Sequence, residues 1–453
     1  MFNFLLQHTP LVYLTQSLWR DEVFSVLLAQ RSPVTFINIA LEPPLYYIFL
    51  HTWIKIFGNS EIAVRSLSLV GFSLATIVAI IWAAKLFKKH WLSWFLPLFF
   101  FLNPMLLYYA FEARAYGWYI FFTVASMYTY MERRWMWYIA TTVLGLYTHT
   151  YMVIVPALQI IHYLFIHRKM FHFKHAKAMV RDPMIRSATI IGLLFAPWLI
   201  KVFMDLSQLK ESWYFPVNMK LVQSVLGNIF LGYEGTPSFM WPFTALLSLF
   251  LFVASIFSII PRHTRIRNSF FFLMVFAPLA IIIGISLYKP LFVNRYVIPS
   301  TIAEVFLVVF AIQCITNKHI QKILAAVALL FVLGFNIWYP SLHAKLDIRN
   351  TMQQINALMG KRDIILADDP VIFFETIYYS DDRSKVFLYN PTGKPFPWYI
   401  GDAIVSPSQI VQDLPPYPTR AFIVHIDGSY EIVYSVNISY RPKIAPTLKR
   451  NTP

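Results

Sequence analysis

Apolar runs of about 20 residues recur through the first three quarters of the chain, separated by short polar segments that are often basic. A run of that length suits a helix that crosses the hydrocarbon layer of a membrane. The pattern predicts spans near 66–86, 91–109, 117–131, 135–149, 151–167, 187–205, 239–260, 269–288, 297–316 and 321–339. Residues 1–19 are more mixed, with Gln7, His8, Pro10 and Gln16 among Phe2, Phe4, Leu5, Leu6, Leu11 and Leu14. They are read as a short first span, since they lack the basic start and small-residue cleavage site of a signal peptide. Eleven spans would put the two ends of the chain on opposite faces.

After residue 340 the pattern changes. Ile364 to Ala367 in "KRDIILADDP" reads as a buried strand, "SKVFLYN" and "RAFIVHIDG" as two more, and "ALMG" and "VIFFETIYYS" as helical. The expected organisation is a membrane domain over 1–340, with interfacial helices in a first outer loop at 20–65, and a small α/β domain over 341–453. That second domain has no glycine-rich phosphate loop, so nothing supports a dinucleotide-binding role. "NIS" at 437–439 matches a glycosylation sequon.

Composition sharpens the class. Hydrophobic residues make up 58% of the 453 and charged residues 13%, about half the share of a soluble domain. Too few polar groups remain to cover a soluble surface. Cys314 is the single cysteine, which excludes a disulfide scaffold. Net charge is +15 over residues 1–340 and +1 over 341–453. The excess sits in short loops that alternate onto one face: Lys85, Lys88 and Lys89; Arg133 and Arg134; Arg168 to Arg186; Arg262 to Arg267; Lys318 and Lys322. This is the signature of orientation by positive charge on the cytoplasmic side, not of nucleic-acid binding. It assigns 20–65, 110–116, 206–238, 289–296 and the tail to the outer face.

The outer segments hold the residues with chemistry. "LWRDEVFSVLLAQ" places Asp21 and Glu22 just past the first span. Acids there can cap the first turn of a helix over 22–30, or supply a general base for an acceptor hydroxyl. If a divalent cation were used, these two carboxylates are the candidates to hold it. Pro43-Pro44 opens a helix too short and polar to span, with Tyr46, Tyr47, Phe49 and Trp53 as an aromatic face suited to the headgroup layer. Tyr46 is a candidate wall of a substrate groove. Arg65, at the start of the next span, either snorkels to lipid headgroups or binds substrate. Glu112 and Arg114 in "FEARAYG" either pair with each other or let Arg114 face a phosphate, which its planar fork suits. His149 in "YTHTY" is either a structural histidine among aromatics or a site residue. Lys289 and Arg295 in "YKPLFVNRYVIPS" either meet headgroups or clamp a lipid phosphate. There is no CxxC or HExxH arrangement, so a dedicated zinc site is not expected.

The order "DE", "PPLYY", "FGNSEIAVRSLS", "EARAYG", "YTHTY", "RYVIPS" resembles the GT-C-fold membrane glycosyltransferases. The similarity is to the dolichyl-phosphate-mannose protein mannosyltransferase-like and aminoarabinose-transferase-like branch, and covers about residues 15–300. That resemblance implies a polytopic α-helical fold and a sugar donor on a polyprenyl phosphate. It implies inverting transfer to a hydroxyl of a glycan, lipid or protein, at the outer face of a bacterial cytoplasmic membrane. By position in the motifs it makes Asp21 the base and Glu22 its companion, and assigns Arg114 and Arg295 to donor-phosphate recognition or site ordering. Glu42 departs from the pattern, since many relatives carry histidine before the two prolines.

Two other classes compete. A transporter or flippase of lipid-linked glycans would concentrate ionisable residues near the membrane midplane. Here Glu304 is the main intramembrane carboxylate, and the other acids lie at outer span ends. A non-catalytic assembly protein would have no need of Asp21.

Overall fold

Ser60 caps the longest helix of the chain by accepting from the Ala63 amide, and the helix then runs apolar from Glu61 to Phe87, about 40 Å of rise. The computed structural model describes residues 8–39, 42–168, 181–205, 216–232, 239–394, 396 and 404–436. It divides into two units, Met1–Lys345 and Leu346–Pro453. The sequon at 437–439 lies outside the described residues.

The first unit is helical: α1 Arg20–Ala29, α2 Pro33–Ile39, α3 Leu45–Phe57, α4 Glu61–Phe87, α5 Leu92–Phe101, α6 Pro104–Ala110, α7 Tyr116–Met131, α8 Trp135–Leu146, α9 Ile154–Ile166, α10 Pro183–Asp205, α11 Met219–Leu231, α12 Trp241–Ile259, α13 Arg265–Ser286, α14 Ile298–Gln313 and α15 Lys318–Trp338. Each of the ten spans predicted after residue 65 falls on a helix or on a pair of helices. Among the described residues, six helices are long and apolar enough to cross a membrane, and α5 with α6 makes a seventh candidate bent by 54°. The chain is thus a multi-pass membrane protein. The bend has a cause. Pro104 cannot donate a backbone hydrogen bond. Asn103 caps the Leu106 amide and donates to Phe230 O, while Asn336 donates to Leu102 O. Side chains thus satisfy backbone groups that lipid cannot.

Of the expected first span, residues 1–7 lie outside the described residues, and over 8–19 the chain is helical only at His8 and Val12–Thr15, so no continuous helix forms there. The reason lies downstream, where Arg65 draws the carbonyls of Leu14, Gln16 and Ser17 toward itself. A continuous helix would have kept those oxygens for its own amides.

α4 and α7 pack with their backbones in close approach. A Cβ on Gly117 would lie 2.0 Å from Ser68 O, and one on Gly71 would lie 2.7 Å from Gly117 C. The crossing lets Ser68 Oγ donate to Arg114 O at 2.5 Å and Trp118 Nε1 donate to Leu67 O. It thereby fixes the 111–115 turn against the start of α4.

The second unit is a five-stranded sheet of order β3-β2-β1-β4-β5: β1 Ile364–Ala367, β2 Val386–Tyr389, β3 Ile410–Val411, β4 Ala421–Val424 and β5 Tyr430–Val433. Only the β4–β5 pairing is antiparallel. Helices α16 Ile348–Leu358 and α17 Pro370–Tyr379 complete it. Strands β1, β2 and β4 lie within the three segments read as strands from the sequence. β3 is too short to leave a pattern, and β5 is a half-exposed edge.

Candidate functional site

The first turn of α1 is held from below. Glu22 is fully buried and receives two hydrogen bonds from Arg65, Nε to Oε1 at 2.8 Å and Nη2 to Oε2 at 2.6 Å. It also accepts from the Ala113 amide at 2.8 Å, from the Trp19 amide and from Lys345 Nζ at 3.2 Å. Burial alone would push its pKa up, but the charges of Arg65 and Lys345 outweigh that and hold the carboxyl at about 2. Arg65 is itself fully buried. Rather than snorkelling to headgroups, it ties Glu22 to the 14–17 segment.

Asp21 follows the opposite course. Neighbours on a helix point about 100° apart, so Asp21 faces outward while Glu22 faces in. Its side chain is 21% exposed. Its carbonyl is fixed by Ser25 Oγ at 3.0 Å and by Arg114 Nη1 at 3.4 Å. Two cations approach its carboxylate without hydrogen bonding to it: Arg20 at 3.7 Å and Arg295 at 3.9 Å. Arg295 is nearly buried and leans toward the Tyr296 ring.

Glu112 and Arg114 do not pair with each other. Arg114 donates to Glu42 Oε1 at 2.6 Å and to Ser25 Oγ at 3.0 Å, and Tyr47 OH donates to Glu42 Oε2. Glu112 turns the other way, to Lys345 Nζ at 3.5 Å. The geometry separates them because Arg114 leaves a turn whose carbonyl is pinned by Ser68, with its guanidinium directed at α1.

An aromatic wall stands beside these groups. His149 stacks on Tyr119 at 4.3 Å, and Tyr151 stacks on Tyr296 at 4.2 Å. His149 Nδ1 accepts from the Tyr151 amide, so that nitrogen carries no proton. The ring lies within electrostatic range of Glu42, Arg114 and Arg295. Tyr46 is buried on α3 within the same range of Arg114, Glu22 and Glu42.

The structure therefore gathers Asp21, Glu22, Tyr46, Arg65, Glu112, Arg114, His149 and Arg295. Lys289 lies exposed in the turn after α13. Sequence reasoning missed Lys345 and Ser68, read Tyr47 only as part of an aromatic face, and noted Glu42 only as a departure from a pattern. Lys345 sits alone between the last span and the α/β unit, with no motif around it. A basic residue on the acid-bearing face was the one signal available.

The idea that Asp21 and Glu22 share a cation does not fit. The oxygens of Glu22 are engaged by Arg65, Lys345 and two amides, and its side chain faces away from that of Asp21. Among the described residues, no group of three or more His, Cys, Asp or Glu side chains gathers into a metal site.

No protein-family model matches the sequence, and no curated protein matches it. Two solved structures of the aminoarabinose transferase ArnT from Cupriavidus metallidurans are similar in fold: the apo state and the state bound to undecaprenyl phosphate. Each superimposes with a TM-score of 0.60 at 13% identity, over 91% of this chain and 90% of the other. The chain has the GT-C fold of ArnT, a polytopic helical bundle that carries a small sheet-containing C-terminal unit.

Proposed function

We propose that this protein is a membrane glycosyltransferase that moves a sugar from a polyprenyl phosphate to an acceptor hydroxyl, with inversion. The observation that carries this reading is the disposition of Asp21. Its carboxylate is partly exposed, its backbone is pinned by Arg114 and Ser25, and a nearly buried guanidinium lies 3.9 Å away. Base and phosphate-binding cation stand side by side. The fold shared with ArnT, one structure of which holds undecaprenyl phosphate, supports the donor class.

The chemistry follows from those groups. The acceptor hydroxyl is a poor nucleophile, and Asp21 takes its proton as it attacks the anomeric carbon; such a base contributes about 10²–10⁴ in rate. The bond to phosphate oxygen breaks on the opposite side. Negative charge grows on the leaving phosphate, and Arg295 is already placed to stabilise it. Arg114 is engaged with Glu42 and orders the loop around the base. Glu22, Arg65 and Glu112 form the buried support. Tyr151 and Tyr296 offer faces for a sugar ring. The site and the α/β unit lie on the extracytoplasmic side of a bacterial cytoplasmic membrane, in keeping with the basic loops opposite.

The test is transfer of label from a polyprenyl-phosphate sugar in membranes, native against Asp21→Asn. Asparagine keeps the size and removes the proton acceptor, so turnover falls by about 100-fold or more at equal expression. Equal turnover of the two removes Asp21 as the base. No product from the native protein with any donor turns the reading toward transport or assembly.

A further inference from the structure

We infer that His149 binds the sugar of the donor, its Nε2–H donating to a sugar hydroxyl. The inference rests on the transferase reading and deepens it by naming what meets the sugar. The residue is anchored at backbone and ring. Its amide donates to Gly145 O at 3.0 Å, and its Nδ1 accepts from the Tyr151 amide at 3.3 Å, capping the short helical turn Thr150–Val153. One face of the ring lies on Tyr119, with centroids 4.3 Å and planes 10° apart. The rings of Tyr116, Tyr151 and Tyr296 surround it at 5.7, 6.0 and 6.3 Å. The Leu45 amide donates to Tyr147 O at 2.9 Å, which ties this segment to the start of α3.

These contacts leave one polar atom over. A neutral imidazole that accepts at Nδ1 carries its proton on Nε2. Nε2 has no hydrogen-bond partner among the described residues, and the side chain is only partly buried. The charges that act on the ring are those of Glu42, Arg114 and Arg295, and the neighbouring Tyr116 is in range of Asp21 as well. When a ligand fills the site, water leaves this N–H, and a donor left without an acceptor weakens the complex. The ligand must therefore supply an oxygen. The phosphate already has Arg295, and a charged donor holds it more strongly than a neutral one. The sugar offers hydroxyls, and aromatic walls with a few placed polar groups suit a small neutral ligand. An ammonium has no lone pair to give, so the sugar presents a hydroxyl rather than an amine to this nitrogen.

The experiment separates sugar from phosphate. Undecaprenyl phosphate and its glucosyl and mannosyl forms are titrated against the purified protein in detergent, native and as His149→Phe, His149→Asn and His149→Gln. Phenylalanine keeps the stack on Tyr119 and loses the donor. Asparagine keeps an acceptor for the Tyr151 amide and also loses the donor. Glutamine returns an N–H near the place of Nε2. The native protein is expected to bind at least one glycosyl form more tightly than undecaprenyl phosphate. In His149→Phe and His149→Asn the affinity for that form falls by roughly 3- to 10-fold, while that for undecaprenyl phosphate stays within about twofold. His149→Gln recovers part of the loss. The inference is overturned if the native protein binds undecaprenyl phosphate and favours neither glycosyl form, or if the preference survives in both donor-less variants. Equal weakening of all the lipids, or a loss in His149→Phe alone, also overturns it, since the ring would then act through the phosphate site or through its cap on Tyr151. Those results leave the transferase reading standing, whereas a native protein that binds none of the lipids ends that reading and this inference together.

Discussion

Gly117→Ala probes how closely the site depends on one helix crossing. An added Cβ would lie 2.0 Å from Ser68 O and 2.7 Å from Ser68 C, where ordinary contact begins at 3.4 Å. The obstacle is backbone, so no rotamer change relieves it. α4 and α7 must part by roughly 1.4 Å, at a cost of about 1–3 kcal/mol for overpacking. The same movement pulls Ser68 from the Arg114 carbonyl and Leu67 from Trp118. The turn at 112–114 then loses its reference to α4, and Arg114 no longer fixes the Asp21 carbonyl. A shift of that size at a reacting group costs on the order of 100-fold in rate. The assay pairs labelled sugar transfer in membranes with thermal unfolding in detergent. Gly192→Ala is the control, because its Cβ meets nothing within 4 Å. Native turnover and native melting in Gly117→Ala would refute the argument, since the crossing would then not position the site.

Arg65→Met leaves Glu22 buried without its main partner, and should destabilise the fold by about 3–5 kcal/mol; a melting temperature equal to native would contradict the assigned pairing. Arg295→Gln should weaken binding of undecaprenyl phosphate by at least about tenfold, whereas Arg114→Gln should chiefly lower kcat, and titration of each variant with the lipid separates the two roles. Acid should destabilise the protein through Glu22. Its folded pKa is depressed to about 2 from an ordinary 4.5, so the contribution is complete above about pH 4.5 and is lost as pH falls toward 2. The native melting temperature should drop through that window more steeply than that of Glu22→Gln, and parallel curves would remove Glu22 as the source.

Much of the candidate site was legible because its residues sit in short segments between long apolar runs. Asp21, Arg114, His149 and Arg295 each stand at the mouth of a helix, where a charge or an imidazole has no role in spanning. Their division of labour was not legible. Adjacent acids look equivalent in "RDEV", yet helical geometry turns Glu22 into the core and Asp21 toward the open side. Arg65 looked like a headgroup contact because its helix position was visible and its partners were not. Those partners are the carbonyls of Leu14, Gln16 and Ser17 and a carboxylate 43 positions earlier.

The sequence by itself determined the class of the protein. Runs of apolar residues impose helices in lipid, and the change of pattern after residue 340 imposes a separate sheet-containing unit. Those properties follow from local composition and from the solvent each segment must face. Only the tertiary structure decided which charges neutralise one another. Glu112 meets Lys345 rather than Arg114, Arg114 meets Glu42, and Glu22 is closed off by Arg65. A buried charge needs a partner wherever in the chain one can be brought, and chain distance carries no information about that. Gly117 shows the same limit, because its lack of a side chain matters only where α4 passes 2.0 Å from the missing atom.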